Sequence, residues 1–184
     1  MSVSKYIKIT YRSYFSQPAS DRVIFKAIRR LKAQRILECG IGNTQRARRI
    51  IETAQLVSPD VEINYTGIDL FEARTAADGP GVSLKLAHRQ LSTTGAKIKL
   101  IPGNPLSAFT RAANSLGNTD LVIISARQNP SEMSAAWFYV PRILHANSIL
   151  FEEQGHLGGQ IQLISVSPQE IAKRAGENNR RRAA

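Results

Sequence analysis

Residues 35–43 read R-I-L-E-C-G-I-G-N, and this stretch constrains the rest of the chain more than any other. A short apolar run, Ile36-Leu37, stops at Glu38. Gly40-Ile41-Gly42 follows, and then a segment with helical periodicity. In a strand, glycine turn, helix unit the glycines admit backbone angles that a Cβ would forbid, and they let the chain approach a ligand closely. The helix that follows aims unpaired N–H groups at whatever lies over the turn.

The remaining segments alternate in the same way. Residues 21–33 form an amphipathic helix, with Ile24, Ile28 and Leu31 on one face and Arg22, Lys26, Arg29 and Arg30 mostly elsewhere. Ser20 or Asp21 is its expected cap. A strand at 35–39 leads to a helix at 44–56, which turns Ala47, Ile50, Ile51 and Ala54 inward and lets Arg48 and Arg49 pair with Glu52. Further strands are expected at 61–68, 97–101, 121–125 and 148–151. Helices are expected at 83–94, 105–115 and 131–145, the last interrupted late by Pro141. Residues 121–125 are continuously apolar, as in a strand buried on both faces. Only six residues lie between Glu153 and Gln160, too few for a parallel crossover, so a strand at 161–166 should run antiparallel to its predecessor. A short helix at 168–175 follows.

Five strand–helix alternations imply an α/β fold of three layers: a doubly wound, mostly parallel sheet of about six strands with one antiparallel strand near the C-terminus. Residues 21–175 form the domain. Residues 1–20 are a basic, aromatic arm packed on it, or else an edge strand, since Val3, Lys5, Ile7, Ile9 and Tyr11 share a mostly apolar parity. Residues 176–184, with Arg180-Arg181-Arg182, are a basic tail.

Charge is the unusual quantity. The chain carries 25 Lys and Arg against 14 Asp and Glu, a net +11. Residues 1–49 hold twelve of those cations and only two acids, Asp21 and Glu38, so ten of the eleven net charges lie there. This asymmetry, with Tyr6, Tyr11, Tyr14 and Phe15 among the cations, suggests RNA or another polyanion as a partner of residues 1–49. No apolar run is long enough to span a bilayer, and no signal-peptide pattern is present. Cys39 is the single cysteine, so no intrachain disulfide and no cysteine metal cluster is expected, which fits a cytoplasmic location.

Ligands of doubly wound sheets bind beyond the carboxyl ends of the strands. That rim collects residues 38–43, 69–72, 103–105, 125–130 and 152–156. Three of these stretches carry a resemblance in order and spacing. L-E-C-G-I-G resembles the first motif of class I S-adenosylmethionine-dependent methyltransferases, G-I-D-L at 67–70 resembles their second acidic motif, and I-P-G-N-P at 101–105 stands where that family often has Gly-Asp. The match runs from about Asp21 to Glu153. The resemblance implies S-adenosylmethionine as cofactor. Gly40 and Gly42 would pass close to its methionine part, with Glu38 near that end. Asp69 would accept from both ribose hydroxyls and Leu70 would lie on the adenine face. Gly103 and Asn104 would lie by the adenine edge, with Ser125 at the end of the fourth strand. NAD fits less well: its third glycine is missing near Gln45, and Asp69 follows Gly42 by 27 residues rather than about 20.

Transfer of a methyl group needs mainly alignment, with a base only for protonated nucleophiles. Ser125-Ala126-Arg127-Gln128-Asn129-Pro130 is not the Asn/Asp-Pro-Pro-aromatic motif of amino-methylating enzymes. Candidates for a catalytic role are His156, Arg127 and Glu152; no metal is implied. Two functional readings follow: a methyltransferase acting on an anionic, RNA-like acceptor, and a catalytically silent binding or interaction module of the same fold.

Overall fold

The protein is described by a computed structural model covering residues 3–155 and 161–183, with residues 178–183 as backbone only. The chain begins with helices α1 (Val3–Tyr14) and α2 (Arg22–Leu31). Strand β1 (Arg35–Cys39) leads to α3 (Gln45–Val57), and β2 (Asn64–Asp69) to α4 (Leu84–Ser92). Strand β3 (Lys97–Pro102) precedes α5 (Pro105–Ala112), and β4 (Thr119–Ile124) precedes α6 (Pro130–Ala136) and the single turn α7 (Val140–Ile143). Strands β5 (Leu144–Gly155) and β6 (Ile161–Ser165) and helix α8 (Pro168–Ala183) complete it.

The six strands form one sheet in the order β3-β2-β1-β4-β5-β6. All neighbours are parallel except β5 and β6, which pair antiparallel with Phe151 opposite Ser165 and Gly155 opposite Ile161. The short connection between β5 and β6 therefore has the consequence read from its length. The chain leaves β1 for β2 on one side and later returns to β4 on the other, so the switch point lies at the carboxyl ends of β1 and β4.

Side chains alternate between two cores. Ile36, Leu121, Ile123 and Phe151 face the layer containing Ile24, Phe25, Ile50 and Leu91. Leu37, Val122, Ile124 and Leu150 face the layer containing Phe109, Met133, Trp137 and Ile171. The inward set expected for α3 (Ala47, Ile50, Ile51, Ala54) is fully buried, and Phe25 joins the core beside it. Among the described residues, no helix is long and apolar enough to cross a membrane.

Four expectations are corrected. Residues 3–14 are helical, not an edge strand: the buried pair is Ile9 and Ser13, four apart, and the Ser13 hydroxyl donates to the Ile9 carbonyl at 2.8 Å. The segment 131–145 is not one helix. Pro141 stands in the separate turn α7, which starts at Val140, and the chain is already extended at Leu144, so His145 lies on β5 and meets Asp120 through Nε2 at 3.0 Å. Strand β5 therefore begins four residues before 148, with a register irregularity between Thr119 and Leu121 that absorbs 145–148. Helix α8 runs through residue 183 rather than stopping at 175. Its Arg174 bonds Glu170 one turn back and lies 4.7 Å over the Trp137 ring, which ties the helix to the sheet layer beneath.

A three-charge clamp fixes α1 on α3. Arg12 donates to Glu52 at 2.5 Å, to Thr53 Oγ1 at 2.9 Å and to the Arg49 carbonyl at 3.1 Å, while Arg48 donates to the other Glu52 oxygen at 2.8 Å. Burial works to raise the Glu52 carboxyl, and hydrogen bonds from Arg12 and Arg48 outweigh it, so its pKa lies below the usual value. A depressed carboxyl pKa contributes stability that is present above the unfolded value and lost as pH falls through the folded one. Glu52→Gln should therefore melt about 2–4 °C lower near neutrality. The gap from the parent protein should close as a pH series of melting curves descends below about pH 4.

Candidate functional site

The carboxyl ends of β1, β2 and β4 open into a cavity of about 910 Å³. Its walls include Gly40, Gly42, Asp69, Leu70, Asn104 and Ser125, all expected on this rim. Gly103 stands beside them but does not line it; its N–H donates to the Asp69 carbonyl at 2.8 Å and so sets the end of β3 against that of β2.

The glycine turn has the backbone anticipated for it. Gly40 and Gly42 have φ of +86° and +59°. A Cβ on Gly40 would lie 2.5 Å from Gln128 Nε2 and 2.8 Å from Ser125 Cβ, so no other residue fits there. Thr44, the first residue before α3, is also left-handed at φ +66°, an unusual state for a β-branched residue. Its hydroxyl donates to Gln90 Oε1 at 2.6 Å, which anchors it to α4. Phe71 (φ +49°), two residues past Asp69, is the matching distortion after β2. Left-handed non-glycine residues at two adjacent strand ends mark a backbone held in place by its surroundings.

Below the turn lies a buried charge network. Glu38 has no exposed surface. It shares the strand parity of Ile36 and so points toward α3, where Arg46 Nε donates to Glu38 Oε1 at 2.6 Å and the Tyr65 hydroxyl donates to Oε2 at 2.6 Å. Arg46 Nη1 also donates to Glu153 Oε1, and the second Glu153 oxygen accepts from the Ala126 N–H at 3.1 Å. Burial alone would lower the Arg46 pKa. The two carboxylates outweigh that and hold the guanidinium charged, above its ordinary value. Burial and the negative charge of Glu38 push the Tyr65 phenol well up, so Tyr65 stays a donor. Cys39, fully buried, has its thiol pushed up by burial and by the charges of Glu38 and Asp69, which makes it inert as a nucleophile.

Glu38 therefore supports the turn from beneath rather than facing the cavity. Glu152 and Glu153 separate by strand alternation: Glu153 lines the cavity, while Glu152 turns to the opposite face and accepts from Arg174 at 2.9 Å, bordering a smaller pocket of about 320 Å³. Arg127 lines the cavity beside Gly79. His156 lies outside the described residues. Among the described residues, no group of three or more His, Cys, Asp or Glu is placed to hold a metal ion.

Asp69 is the most heavily bonded wall residue. Its oxygens accept from the Gly42 N–H at 3.0 Å and the Phe71 N–H at 3.2 Å, and from both ends of the Arg74 fork, Nε at 2.8 Å and Nη2 at 2.7 Å. Asn104 is bonded at both ends of its amide. Its carbonyl caps α5 through the Ser107 N–H at 2.8 Å, and its amide donates to Glu132 Oε1 at 2.7 Å. Asp21, expected to cap α2, makes no side-chain cap. It is buried in the cavity wall and pairs with Arg49 at 2.7 Å, and burial raises its pKa above the usual carboxyl value.

Sequence reasoning did not single out Arg46, Arg74, Gln128 or Glu132. Glu132 carried a readable signal, because Asn129-Pro130 marks the start of α6 and places Glu132 in its first turn. Arg74 and Arg46 carried none, since each acts through partners from a different strand end.

Removing the guanidinium of Arg46 strands two buried carboxylates. Arg46→Met should cost about 3–5 kcal/mol of unfolding free energy by denaturant titration.

No protein-family model and no curated protein sequence matches the chain. Solved structures do. The O-methyltransferase TomG from Streptomyces achromogenes, involved in tomaymycin synthesis and crystallised with S-adenosylmethionine, is 12% identical. The match covers 100% of this chain and 78% of TomG at a TM-score of 0.53. Cofactor-bound Rv0187 from MTB is 14% identical over 97% of this chain and 77% of its own, with a TM-score of 0.53. The trans-methyltransferase CalH, in complex with S-adenosylhomocysteine, is 17% identical, and 85% of this chain matches 40% of it at a TM-score of 0.51. What is shared at such identities is the arrangement of strands and helices: the chain has the class I S-adenosylmethionine-dependent methyltransferase fold.

Proposed function

We propose that the protein is an S-adenosylmethionine-dependent methyltransferase whose acceptor is anionic. One observation carries this reading: the glycine turn of β1 and the carboxylate closing β2 meet across one cavity, joined by the Gly42–Asp69 hydrogen bond at 3.0 Å. The neighbours TomG and CalH, which hold S-adenosylmethionine and S-adenosylhomocysteine, share this fold and support it.

The residues present fit such a cofactor on two conditions. Asp69 has four donors: two are backbone N–H groups and two belong to Arg74. A ribose diol also brings two donors. It can replace the Arg74 fork while both backbone bonds persist, so Arg74 must leave for the cofactor to seat. Leu70 offers an apolar surface for adenine. The amine acceptor expected of Asn104 passes to Glu132, since both polar ends of the Asn104 amide are already bonded and Glu132 adds a carboxylate oxygen at the same place. Gly40 leaves room for the methionine portion only where Gln128 moves aside.

The cofactor supplies an electrophilic methyl group. The chain supplies alignment, and for a protonated acceptor it supplies Asp21. Burial raises the Asp21 pKa, so it is better suited to take a proton than an ordinary surface aspartate. Glu152 is on the wrong face for that task. The charge asymmetry of residues 1–49 supports an anionic acceptor. The silent-module reading draws on the Arg74–Asp69 contact, which closes the ribose seat with the protein's own side chain.

Thermal shift with S-adenosylhomocysteine separates the two. Ligand at 100 times its Kd should stabilise the fold by about 2.7 kcal/mol. Asp69→Ala should abolish the shift. Arg74→Ala, which removes the competing fork, should lower the ligand Kd on the order of tenfold, the worth of a charged hydrogen bond. Glu132→Ala should weaken S-adenosylhomocysteine more than its inosine analogue, which lacks the adenine amine. No shift in either the parent protein or Arg74→Ala at millimolar ligand would leave the silent module standing.

A further inference from the structure

The outer face of α1 and α2 combines two properties that rarely coincide. The first is exposed aromatic and aliphatic surface. Tyr6, Tyr11 and Phe15 are 60%, 59% and 63% exposed, and Tyr14 and Ile7 accompany them. Tyr11 and Phe15 already stack on each other with centroids 6.2 Å apart. The second is uncompensated positive charge. Lys8 on α1 and Lys26, Arg29 and Arg30 on α2 are exposed. Lys26 Nζ lies 4.7 Å over the Tyr14 ring, so a cation of α2 and a ring of α1 share one surface.

No carboxylate answers that charge on these two helices. The acids of the first 49 residues are Asp21 and Glu38; both are buried, one paired with Arg49 and the other with Arg46. Glu52, beneath α1, is consumed by Arg12 and Arg48. The asymmetry seen in the sequence is therefore a property of the surface itself.

We infer that this face binds a single strand of RNA and leads it toward the cavity, where, on the methyltransferase reading, it is the acceptor. Phosphates along the strand meet the cations, and unstacked bases find ring faces. The connector between the two helices carries the strand onward, because Pro18, Ala19, Ser20 and Asp21 are themselves wall of the cavity. A second copy of the chain is the other occupant an exposed apolar face suggests. Pairing this face with itself would bring lysines and arginines together with no opposing carboxylate, which selects against it.

The test uses the full chain and a fluorescently labelled 12-nucleotide single-stranded RNA read by anisotropy, with its duplex and inorganic polyphosphate as competitors. Single-stranded RNA should bind with an affinity that falls steeply with salt, and should outcompete both. Tyr11→Ala and Phe15→Ala should each weaken it on the order of tenfold with an unchanged melting temperature. Lys8→Gln with Lys26→Gln should flatten the salt dependence. Equal displacement by polyphosphate, or ring variants that bind RNA as the parent does, would overturn the inference. So would a concentration-dependent dimer in sedimentation that the ring variants abolish while RNA affinity stays unchanged. S-adenosylhomocysteine is titrated in parallel. RNA binding that depends on the rings, without any binding of S-adenosylhomocysteine, would keep the surface and remove the methyl-transfer reading; the reverse pattern would remove the surface alone.

Discussion

One guanidinium holds the rim of the sheet together. Arg46, the second residue of α3, bonds Glu38 at the end of β1 and Glu153 near the end of β5. Glu38 in turn receives the Tyr65 hydroxyl from β2, and Glu153 receives the Ala126 N–H just after β4. A chain of five residues thus crosses four strands of the sheet. Buried ion pairs often stabilise little against well-packed apolar residues, because desolvation consumes most of the attraction. Their use here is geometric. The carboxyl ends of parallel strands have no further ladder to fix them, and a fully bonded charge network sets their relative positions where a greasy contact would allow sliding. The left-handed backbone at Gly40, Gly42 and Thr44 rests on that base.

Strand parity decides which side chains can join the network. Glu38 follows Ile36 and Glu153 follows Phe151, so both project into the layer that contains α3. Glu152, one residue earlier, projects into the other layer and is taken by Arg174. Two adjacent glutamates at one strand end therefore serve opposite faces of the sheet. This is why proximity in sequence was a poor guide to which of them borders the cavity.

The legible part of the molecule was the part governed by local pattern. The glycine turn, the buried β4 run and the antiparallel last strand follow from composition, period and connection length, and they suffice for the layered fold. The parts that were not legible depend on long-range choices. Val3 to Tyr11 winds as a helix that lays Ile9 and Ser13 on the core and is held there by Arg12 on Glu52, 40 residues away, a contact no local pattern announces. The α6–α7 break depends on where Leu144 can pair with β4. Asp69 and Asn104 were placed correctly at their strand ends, but their bonding partners were not. Arg74 comes from a loop whose approach no spacing rule encodes; Asn129-Pro130 marks the start of α6 and so the place of Glu132, but not its partner across the cavity.

The Arg74–Asp69 contact gives the cavity its character. A carboxylate that would otherwise be buried with only two donors is costly, and Arg74 supplies two more. Arg74 also donates to the Asp78 carbonyl at 2.7 Å, which couples the fork to the loop that carries it. Displacing Arg74 from Asp69 therefore loosens one end of residues 74–81, whose Gly79 lies against Arg127 on the far wall. On the proposed methyltransferase reading, the apparent affinity for a ribose-bearing ligand would be its intrinsic affinity reduced by the fraction of molecules in which the fork is open. On the proposed reading such a site would be selective, since a ligand must present a matched pair of donors to Asp69 to recover what the displaced guanidinium gives up.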